Sequence, residues 1–329
     1  MSELHKFIFE GLPVRGALVR LTDAWQEVLR RRAANTQTGA YPAPVQGLLG
    51  EMVAAAVLMQ SGIKFDGALV MQIFGDGPVK LAVAEVQSDL RLRATASVTG
   101  AVHAGAGLGE MVNVRGGGRC AITLDPRLRL PGQQPYQGVV PLVDAGGAAL
   151  GGIGPVVEHY MRQSEQLDTT LVLAADDNVA AGLLLQRLPV QGQHNLAQSH
   201  VAGEAADETN ADDPFERLSL LARSLKREEL LGLDADTVLH RLFWQEPLRR
   251  FEPAQGSTGP RFACSCSRER VAAMLKGLGQ AEVDSIVHEQ GQVEVSCDFC
   301  GQQERFDAVD VARLFTPAAQ QSPLPGSVQ

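Results

Sequence analysis

Residues 264–300 read CSCSRERVAAMLKGLGQAEVDSIVHEQGQVEVSCDFC, a stretch that begins and ends with a pair of cysteines. One residue separates Cys264 from Cys266, thirty residues follow, and two residues separate Cys297 from Cys300. Four thiolates match the tetrahedral coordination that Zn²⁺ prefers, and four protein ligands leave no open position on the metal. The spacing therefore predicts a closed structural zinc site.

The residues between and after the two pairs predict a small unit of short helices and strands. Apolar residues at helical spacing predict one helix that ends at Gly279 and a second that ends before Gly291. The alternating run Val293–Val295 predicts a strand that leads into the second cysteine pair. Asp307 and Asp310 are placed to cap a final helix and to lie in its first turn.

This unit, residues 261–316, is short and contains few large apolar side chains. A core of this size gives only marginal stability by itself, so we expect a bound metal to stabilise the unit. Gly301, directly after Cys300, is free to take the positive φ that a metal-binding turn requires. Structural zinc contributes about 10 kcal/mol or more to folding, so removing the metal should unfold the unit.

The Cys264–Cys266 spacing favours a redox-sensitive regulatory site over a permanent structural one. Structural zinc knuckles generally place two to four residues between paired cysteines. Thiolates this close oxidise readily, and the strained disulfide that results is of the labile, regulatory kind. Permanent disulfides or chance clustering are the alternatives. The polar residues 1–6 contain no signal peptide, so a reducing, cytoplasmic location is expected, which disfavours permanent disulfides.

The composition predicts a soluble globular protein. The chain has 329 residues, of which 45 % are hydrophobic, with a net charge of -9 and a pI near 5.3. Residues 261–313 carry six Lys or Arg against nine Asp or Glu. This acidic balance disfavours binding to nucleic acid or to an anionic membrane. No run approaches about 18 apolar residues, so no membrane-spanning helix is expected.

The first 189 residues predict one mixed core domain. Val45–Gln60 has apolar residues at helical spacing, and two strand-like runs, Ala68–Phe74 and Val79–Val86, flank the turn Gly75–Pro78. Helices and strands do not alternate regularly, so the expected fold class is α+β. Further predicted strands are Leu90–Val98, Ala121–Leu124, Leu171–Ala175 and Gly182–Leu188.

Residues 190–258 predict a linker between the core domain and a zinc-binding domain at 259–316. Val190–Asp213 lacks Lys and Arg and predicts an acidic, mobile connector, whereas Pro214 to about Arg250 predicts helices. The simpler interpretation is an amphipathic helix pair docked on the core. The other is an adhesive surface exposed under certain conditions, and the pattern does not decide between them. Residues 317–329 predict a disordered tail.

The remaining candidate residues predict structural roles. Cys120 has no partner motif and is expected to be a small buried thiol. His240 and His288 are expected to lie on the surface or in packing, because four thiolates already complete the zinc site. The glycine-rich stretches Gly105–Gly109 and Gly146–Gly154 lack the spacing of a dinucleotide loop or P-loop and predict turns. No motif of a known enzyme class is present.

Along nearly its whole length the chain resembles the Hsp33 chaperone family. The most specific parts are FACSCSR at 262–268 and CDFC at 297–300. The glycine-rich run 146–154 and the extra Cys120 depart from the family pattern, but neither belongs to the metal motif. Supporting stretches are Val14–Gly16, Phe65–Gly67, Gly75–Pro78, Tyr160, Ser164–Gln166, Thr169, Gln186–Pro189 and His240–Phe243.

The resemblance implies a non-enzymatic, redox-regulated holdase that acts in oxidative stress. In the reduced state Cys264, Cys266, Cys297 and Cys300 would hold one zinc ion, and the small domain would cover the helical linker. Oxidation would form the disulfides Cys264–Cys266 and Cys297–Cys300 and release the zinc. The unfolded switch and loosened linker would then bind unfolding client proteins without ATP, and the active form would be a homodimer.

Three other functions compete with this one. A zinc enzyme would need an open metal position, such as three cysteine ligands and a water. A zinc protein that binds nucleic acid would show affinity that falls steeply with salt. A disulfide oxidoreductase would use the same thiols to reduce disulfide substrates.

Overall fold

A computed structural model describes residues 1–35, 38–128, 132–189 and 213–316. The described chain forms two compact units, one from Met1 to Ala263 and one that begins at Cys264. Helices and antiparallel sheets are mixed, so the predicted α+β class is confirmed. The connector at 190–212 and the tail at 317–329 lie outside the described residues, and the domain boundaries at 189 and 258 stay predictions.

The larger unit contains two mostly antiparallel sheets. One has the order β10-β1-β2-β9-β8, with β11 also paired to β1, and the other has the order β12-β5-β4-β3-β6-β7. The predicted hairpin is confirmed as β3 and β4, and the other four predicted strands are β5, β6, β8 and β9. The strands are β1 Glu3–Phe9, β2 Val14–Leu21, β3 Gly67–Phe74, β4 Val79–Gln87, β5 Arg91–Val98, β6 Arg119–Pro126, β7 Tyr136–Pro141, β8 Thr169–Ala175, β9 Ala180–Arg187, β10 Leu248–Arg250, β11 Ala254–Gln255 and β12 Arg261–Phe262.

The helices of the larger unit include one central helix that contacts strands of both sheets. The predicted helix 45–60 is this element, α2, and the two glycine-rich stretches form turns that lead into α3 and α4, as predicted. A single π-helical turn, Met161–Glu165, continues α4. The helices are α1 Asp23–Ala33, α2 Ala43–Gly62, α3 Leu108–Val112, α4 Ile153–Tyr160, α5 Pro214–Arg223, α6 Arg227–Gly232 and α7 Ala235–Phe243.

Helix α2 is the core of the larger unit. A Cβ on Gly50 would lie 2.4 Å from the Cβ of Ala175, so a glycine is needed where the helix crosses β8. By length and hydropathy α2 could cross a membrane, although no helix of this kind was expected from the sequence. However, 67 % of its apolar window is buried within the structure, as expected of the core helix of a globular unit.

The segment predicted to be helical from Pro214 to about Arg250 forms three helices and then a strand. α5, α6 and α7 end at Phe243, and Leu248–Arg250 pairs with β1 instead of continuing a helix. The three helices bury their apolar faces on the sheet that contains β1, β2, β8 and β9. Of the two interpretations of this segment, the structure shows the one in which the helices dock on the core. It contains three helices instead of the predicted pair. The shared cluster includes Phe7, Phe9, Leu18, Leu183, Leu185, Phe215, Leu218, Leu230, Val238, Leu239 and Phe243.

The last strand of the larger unit, β12, is a two-residue clip. It lies parallel to β5, and Arg261 donates to the carboxylate of Asp89 over 3.1 Å. The guanidinium of Arg31 stacks 5.5 Å from the ring centre of Phe262. The amide of Ala263 donates to the carbonyl of Leu92 over 3.0 Å. These contacts fix the chain to the sheet directly before the first cysteine pair.

The smaller unit contains three helices and one hairpin within its described residues. The hairpin strands are antiparallel and in register from Val293 opposite Phe306 to Ser296 opposite Gln303. Its elements confirm the predicted helices, strand and final helix, and they are α8 Arg268–Leu278, α9 Gln280–Gln290, β13 Val293–Ser296, β14 Gln303–Phe306 and α10 Ala308–Phe315. Its buried apolar cluster consists of Leu275, Val283, Val293, Phe306 and Val311.

Candidate metal centre

The two cysteine pairs are carried by two turns of the smaller unit. Cys264 and Cys266 directly precede α8, whose N-cap is Ser267. Cys297 and Cys300 lie in the turn between β13 and β14. Each pair is therefore held at the end of a regular element, which fixes the backbone that carries the sulfurs.

The hairpin turn is shaped by backbone hydrogen bonds and by one glycine. The amide of Gly301 donates to the carbonyl of Cys297 over 2.8 Å, and the amide of Cys297 donates to the carbonyl of Gln302 over 2.9 Å. Gly301 has φ of +70°, which confirms the predicted positive φ at this position. The turn places Cys297 and Cys300 close to the first cysteine pair.

The four cysteine sulfurs form one compact cluster. All four Sγ atoms lie within 4.8 Å of one another. The Sγ atoms of Cys264 and Cys297 are 3.6 Å apart, and those of Cys266 and Cys300 are 3.3 Å apart. Four sulfurs at about 2.3 Å from a zinc ion would be about 3.8 Å from one another, so these positions fit a tetrahedral metal. The cluster could hold a metal ion.

The thiols of the cluster influence each other's ionisation. A hydrogen bond from Cys297 lowers the pKa of Cys264 to about 4, against the opposing effect of burial. Burial, followed by contact with Cys300 and Cys264, raises the pKa of Cys266 to about 12. The hydrogen bond to Cys264, followed by burial, raises the pKa of Cys297. The ionisation of these thiols is therefore coupled, and binding of a divalent ion, which requires thiolates, would release protons.

Arg268 holds the elements around the cluster together, a role that the sequence analysis missed. Its guanidinium donates to the carbonyl of Arg305 and to the carboxylate of Asp310, both over 2.7 Å. It also lies 4.1 Å from the centre of the Phe306 ring. The start of α8 is thereby tied to β14 and α10. The sequence places an Arg just after the CxC pair, but only the fold shows what it contacts.

The other sequence candidates lie apart from the sulfur cluster. Cys120 is fully buried on β6, and burial raises the pKa of its thiol to about 12. This confirms the predicted buried thiol. His240 and His288 are exposed, and neither belongs to the metal-competent group of the described residues.

Asp307 is the N-cap of α10, as predicted. Its carboxylate accepts a hydrogen bond from the amide of Asp310 over 2.8 Å. This contact orders the last helix of the unit that carries the sulfurs.

Comparison with known proteins gives one consistent result. The family model described as "Hsp33 protein" matches residues 2–307. The "33 kDa chaperonin" of Chromobacterium violaceum is 46 % identical over 317 residues, which cover 95 % of this chain and 94 % of that protein. The protein of the same name from Neisseria meningitidis serogroup B is 41 % identical and covers 94 % and 90 % of the two chains.

A solved structure has the same fold. It is the crystal structure of the 33 kDa chaperonin, or heat shock protein 33 homologue, of Thermotoga maritima. The TM-score is 0.70, and the match covers 95 % of this chain and 97 % of that one. At 20 % sequence identity this likeness supports the fold alone.

Proposed function

The chain belongs to the Hsp33 family, and on that premise we propose that it is a redox-regulated holdase chaperone of the cytoplasm, and not an enzyme. Its partners would be unfolding client proteins, bound without ATP during oxidative stress, and the active form would be a homodimer. The observation that carries this proposal is the cluster of four sulfurs within 4.8 Å of one another, in a unit whose described part has an apolar cluster of five buried residues.

In the reduced protein Cys264, Cys266, Cys297 and Cys300 would hold one Zn²⁺, which supplies folding free energy to the smaller unit and no open coordination position. Residues 259–316 would then form the switch domain, residues 190–258 the linker and residues 1–189 the core. The fit of the sulfur positions to a tetrahedron supports this ligand set, and the identity of the metal rests on the preference of four thiolates for zinc.

Oxidation would withdraw the ligands. Each disulfide forms when two thiolates lose two electrons to peroxide, which takes up protons and leaves as water. We propose the pairs Cys264–Cys266 and Cys297–Cys300. In the folded cluster, sulfur contacts of 3.6 and 3.3 Å join the two motifs, across 33 and 34 residues of sequence. Once the unit opens, pairing within each motif closes far smaller loops than pairing across them, and so costs less chain entropy.

The client surface would come from the linker helices and the sheet beneath them. α5, α6 and α7 cover an apolar cluster in which the rings of Phe7, Phe9 and Phe243 are in contact. If the helices loosened, apolar side chains on both sides of this contact would meet solvent. A large exposed apolar patch is what a holdase requires to bind unfolded chains.

The proposal is tested by measuring zinc content and aggregation suppression on the same samples. We expect one zinc and no holding activity in protein kept reduced. After peroxide and mild heat we expect no zinc, two disulfides and suppression of client aggregation. Zinc that survives oxidation, with no holding activity, would contradict the switch. Salt-dependent binding to nucleic acid, or reduction of insulin disulfides, would favour one of the competing functions.

A further inference from the structure

The larger unit contains a second candidate site, unrelated to the cysteines. Four stretches that carried the family resemblance meet there, contributing Arg15, Tyr160, Glu165 and Gln186. They surround a cavity of about 100 Å³ between the C-terminal end of α2 and the π-helical turn. The chaperone function proposed above uses none of these residues. The cavity is lined on its apolar side by Leu58, Met59, Leu69, Ile122, Leu124 and Met161.

The size of the cavity suits one aliphatic side chain. An apolar protein cavity of about 150 Å³ binds benzene, so a volume near 100 Å³ suits a smaller group, such as the side chain of valine, leucine or methionine. Leu58, Leu69 and Ile122 are each 1 % exposed, so the cavity floor is part of the rigid core. The apolar part of a ligand would therefore enter a preformed space.

One side of the cavity presents a positive charge without a carboxylate partner. Gln186, 3 % exposed, accepts hydrogen bonds from the guanidinium of Arg15 through its Oε1, and Arg15 Nη1 donates to the carbonyl of Gly62 over 2.9 Å. Among the described residues no carboxylate lies within 4.0 Å of Arg15. These bonds use three of the five N–H groups of the guanidinium, so donors remain for a ligand.

Lys6 adds a second cation near Arg15. Its Nζ donates to the carbonyl of Ser61 over 2.7 Å, and its pKa is lowered by burial and then by the charge of Arg15. Both cations stabilise the C-terminal end of α2, which accounts for part of their placement. The local excess of positive charge nevertheless favours an anion on this side.

The π-helical turn contributes a negative charge to the lining of the same cavity. Oε1 of Glu165 accepts hydrogen bonds from the hydroxyls of Tyr160, over 2.9 Å, and Tyr136, over 3.2 Å. Two tyrosines thus hold an exposed carboxylate in one orientation. Arg15 and Glu165 line the same cavity. Capping of α2 by Arg15 and Lys6 does not explain why the oriented carboxylate of Glu165 is there.

We propose that this cavity binds the zwitterion of an aliphatic L-α-amino acid. The side chain would fill the apolar space, the carboxylate would bind Arg15 and the ammonium group would bind Glu165. A fatty acid would place no cation near Glu165, and an alkylamine would place no anion near Arg15. An amino acid satisfies both charges and the volume together, which is the basis of its selectivity.

The first experiment is calorimetric titration of the reduced, zinc-loaded full-length protein with L-leucine. We expect saturable binding of one leucine per chain. Glycine lacks the side chain, N-acetyl-leucine lacks the ammonium group, and leucinamide lacks the carboxylate. Each should bind at least tenfold more weakly. No saturation by L-leucine, or equal binding of glycine, would overturn the proposal. Equal or tighter binding of acetyl-leucine methylamide would overturn it in favour of a peptide segment as the occupant.

The second experiment tests the assigned charge with Glu165→Gln. This exposed position should tolerate the change, so the protein remains folded even where substitution of Arg15 would loosen α2. We expect leucine affinity to fall about tenfold or more, and binding of N-acetyl-leucine to be unchanged, because that ligand has no cation for Glu165. Arg162→Gln, an exposed change on the same turn, is the matched control and should leave leucine affinity unaltered. Equal loss of both ligands in Glu165→Gln would overturn the assignment.

Discussion

The two compact units differ most in what their interiors contain. The larger unit buries large side chains such as Trp25, Tyr160 and Phe7 to less than 2 % exposure, around a helix that is itself mostly buried. Among the described residues of the smaller unit, five are buried in its apolar cluster. Apolar burial alone can therefore hold the larger unit folded, whereas we expect the smaller one to need a metal bound at its four cysteines. A protein with one stable and one conditional unit can lose the second while keeping the first.

The largest expected effect is unfolding of the smaller unit while the larger unit stays folded. Chelation of the metal, or Cys297→Ser, should remove about 10 kcal/mol of folding free energy and unfold residues 264–316. Amide hydrogen exchange should become fast there while β2 and β9 stay protected. Cys120→Ala is the matched control, since it removes a cysteine from the larger unit and should leave metal content unchanged. Persistent protection of residues 264–316 without metal would show that this unit folds without a bound metal.

The next effect weakens the larger unit where the linker helices dock. Phe243 is 1 % exposed, and its ring centre lies 5.1 Å from that of Phe9 and 6.2 Å from that of Phe7. Phe243→Ala should cost about 3–5 kcal/mol in urea unfolding of the larger unit and leave metal content unchanged. The neighbouring Trp244→Ala, at a side chain that is 65 % exposed, should cost less than about 0.5 kcal/mol. Equal costs for the two variants would argue against this docking.

A smaller, pH-dependent effect is expected from Glu51 on α2. Burial raises the pKa of this carboxyl to about 7, although Arg227 and the amide of Ile153 act in the opposite direction. The folded state then binds more protons than the unfolded state between about pH 4.5 and 7. The contribution of Glu51 to stability should therefore be largest below about pH 4.5 and fall by about 2–3 kcal/mol as the pH rises to 7. Denaturant unfolding of wild type and Glu51→Gln across this range should show the decline only in wild type. A parallel decline in both would assign it to other groups.

The smallest expected effect concerns the N-cap of α10 in the smaller unit with its metal bound. Asp307→Ala removes the N-cap of α10 and should destabilise this unit by about 1 kcal/mol, read from the exchange of its amides with zinc bound. Asp284→Ala, at an exposed position inside α9, should cost nothing measurable because alanine is a good helix former. If the two variants exchange alike, the cap contributes nothing once the metal is in place.

Structural features that depend on residues close in sequence were predicted from local sequence patterns. The β3–β4 turn, helix α2, the Asp307 cap and the positive φ of Gly301 each depend on residues close in sequence, and all are confirmed. The cysteine spacing likewise predicted a sulfur cluster, because a four-ligand metal site restricts residue type as well as geometry.

Long-range pairing was not predictable in this way. β2 pairs with β9, and Val14 lies opposite Arg187, although no periodicity links residues so far apart. Leu248–Arg250 was assigned to a helical stretch but is a strand, because its partner β1 lies at the other end of the chain. The cavity next to Arg15 was missed for the same reason. Its lining comes from segments that only the fold brings together.

The β12 clip has a consequence for recovery from oxidation. Because the amide of Ala263 is hydrogen-bonded to the carbonyl of Leu92, residues 264–316 would stay anchored to the sheet when they unfold, at the residue before Cys264. The 33-residue span from Cys264 to Cys297 would have a root-mean-square length of about 30 Å when flexible. Thiols on such a tether meet at an effective concentration in the millimolar range. After reduction, the two halves of the ligand set would therefore reunite in a first-order process whose rate does not depend on how much protein is present.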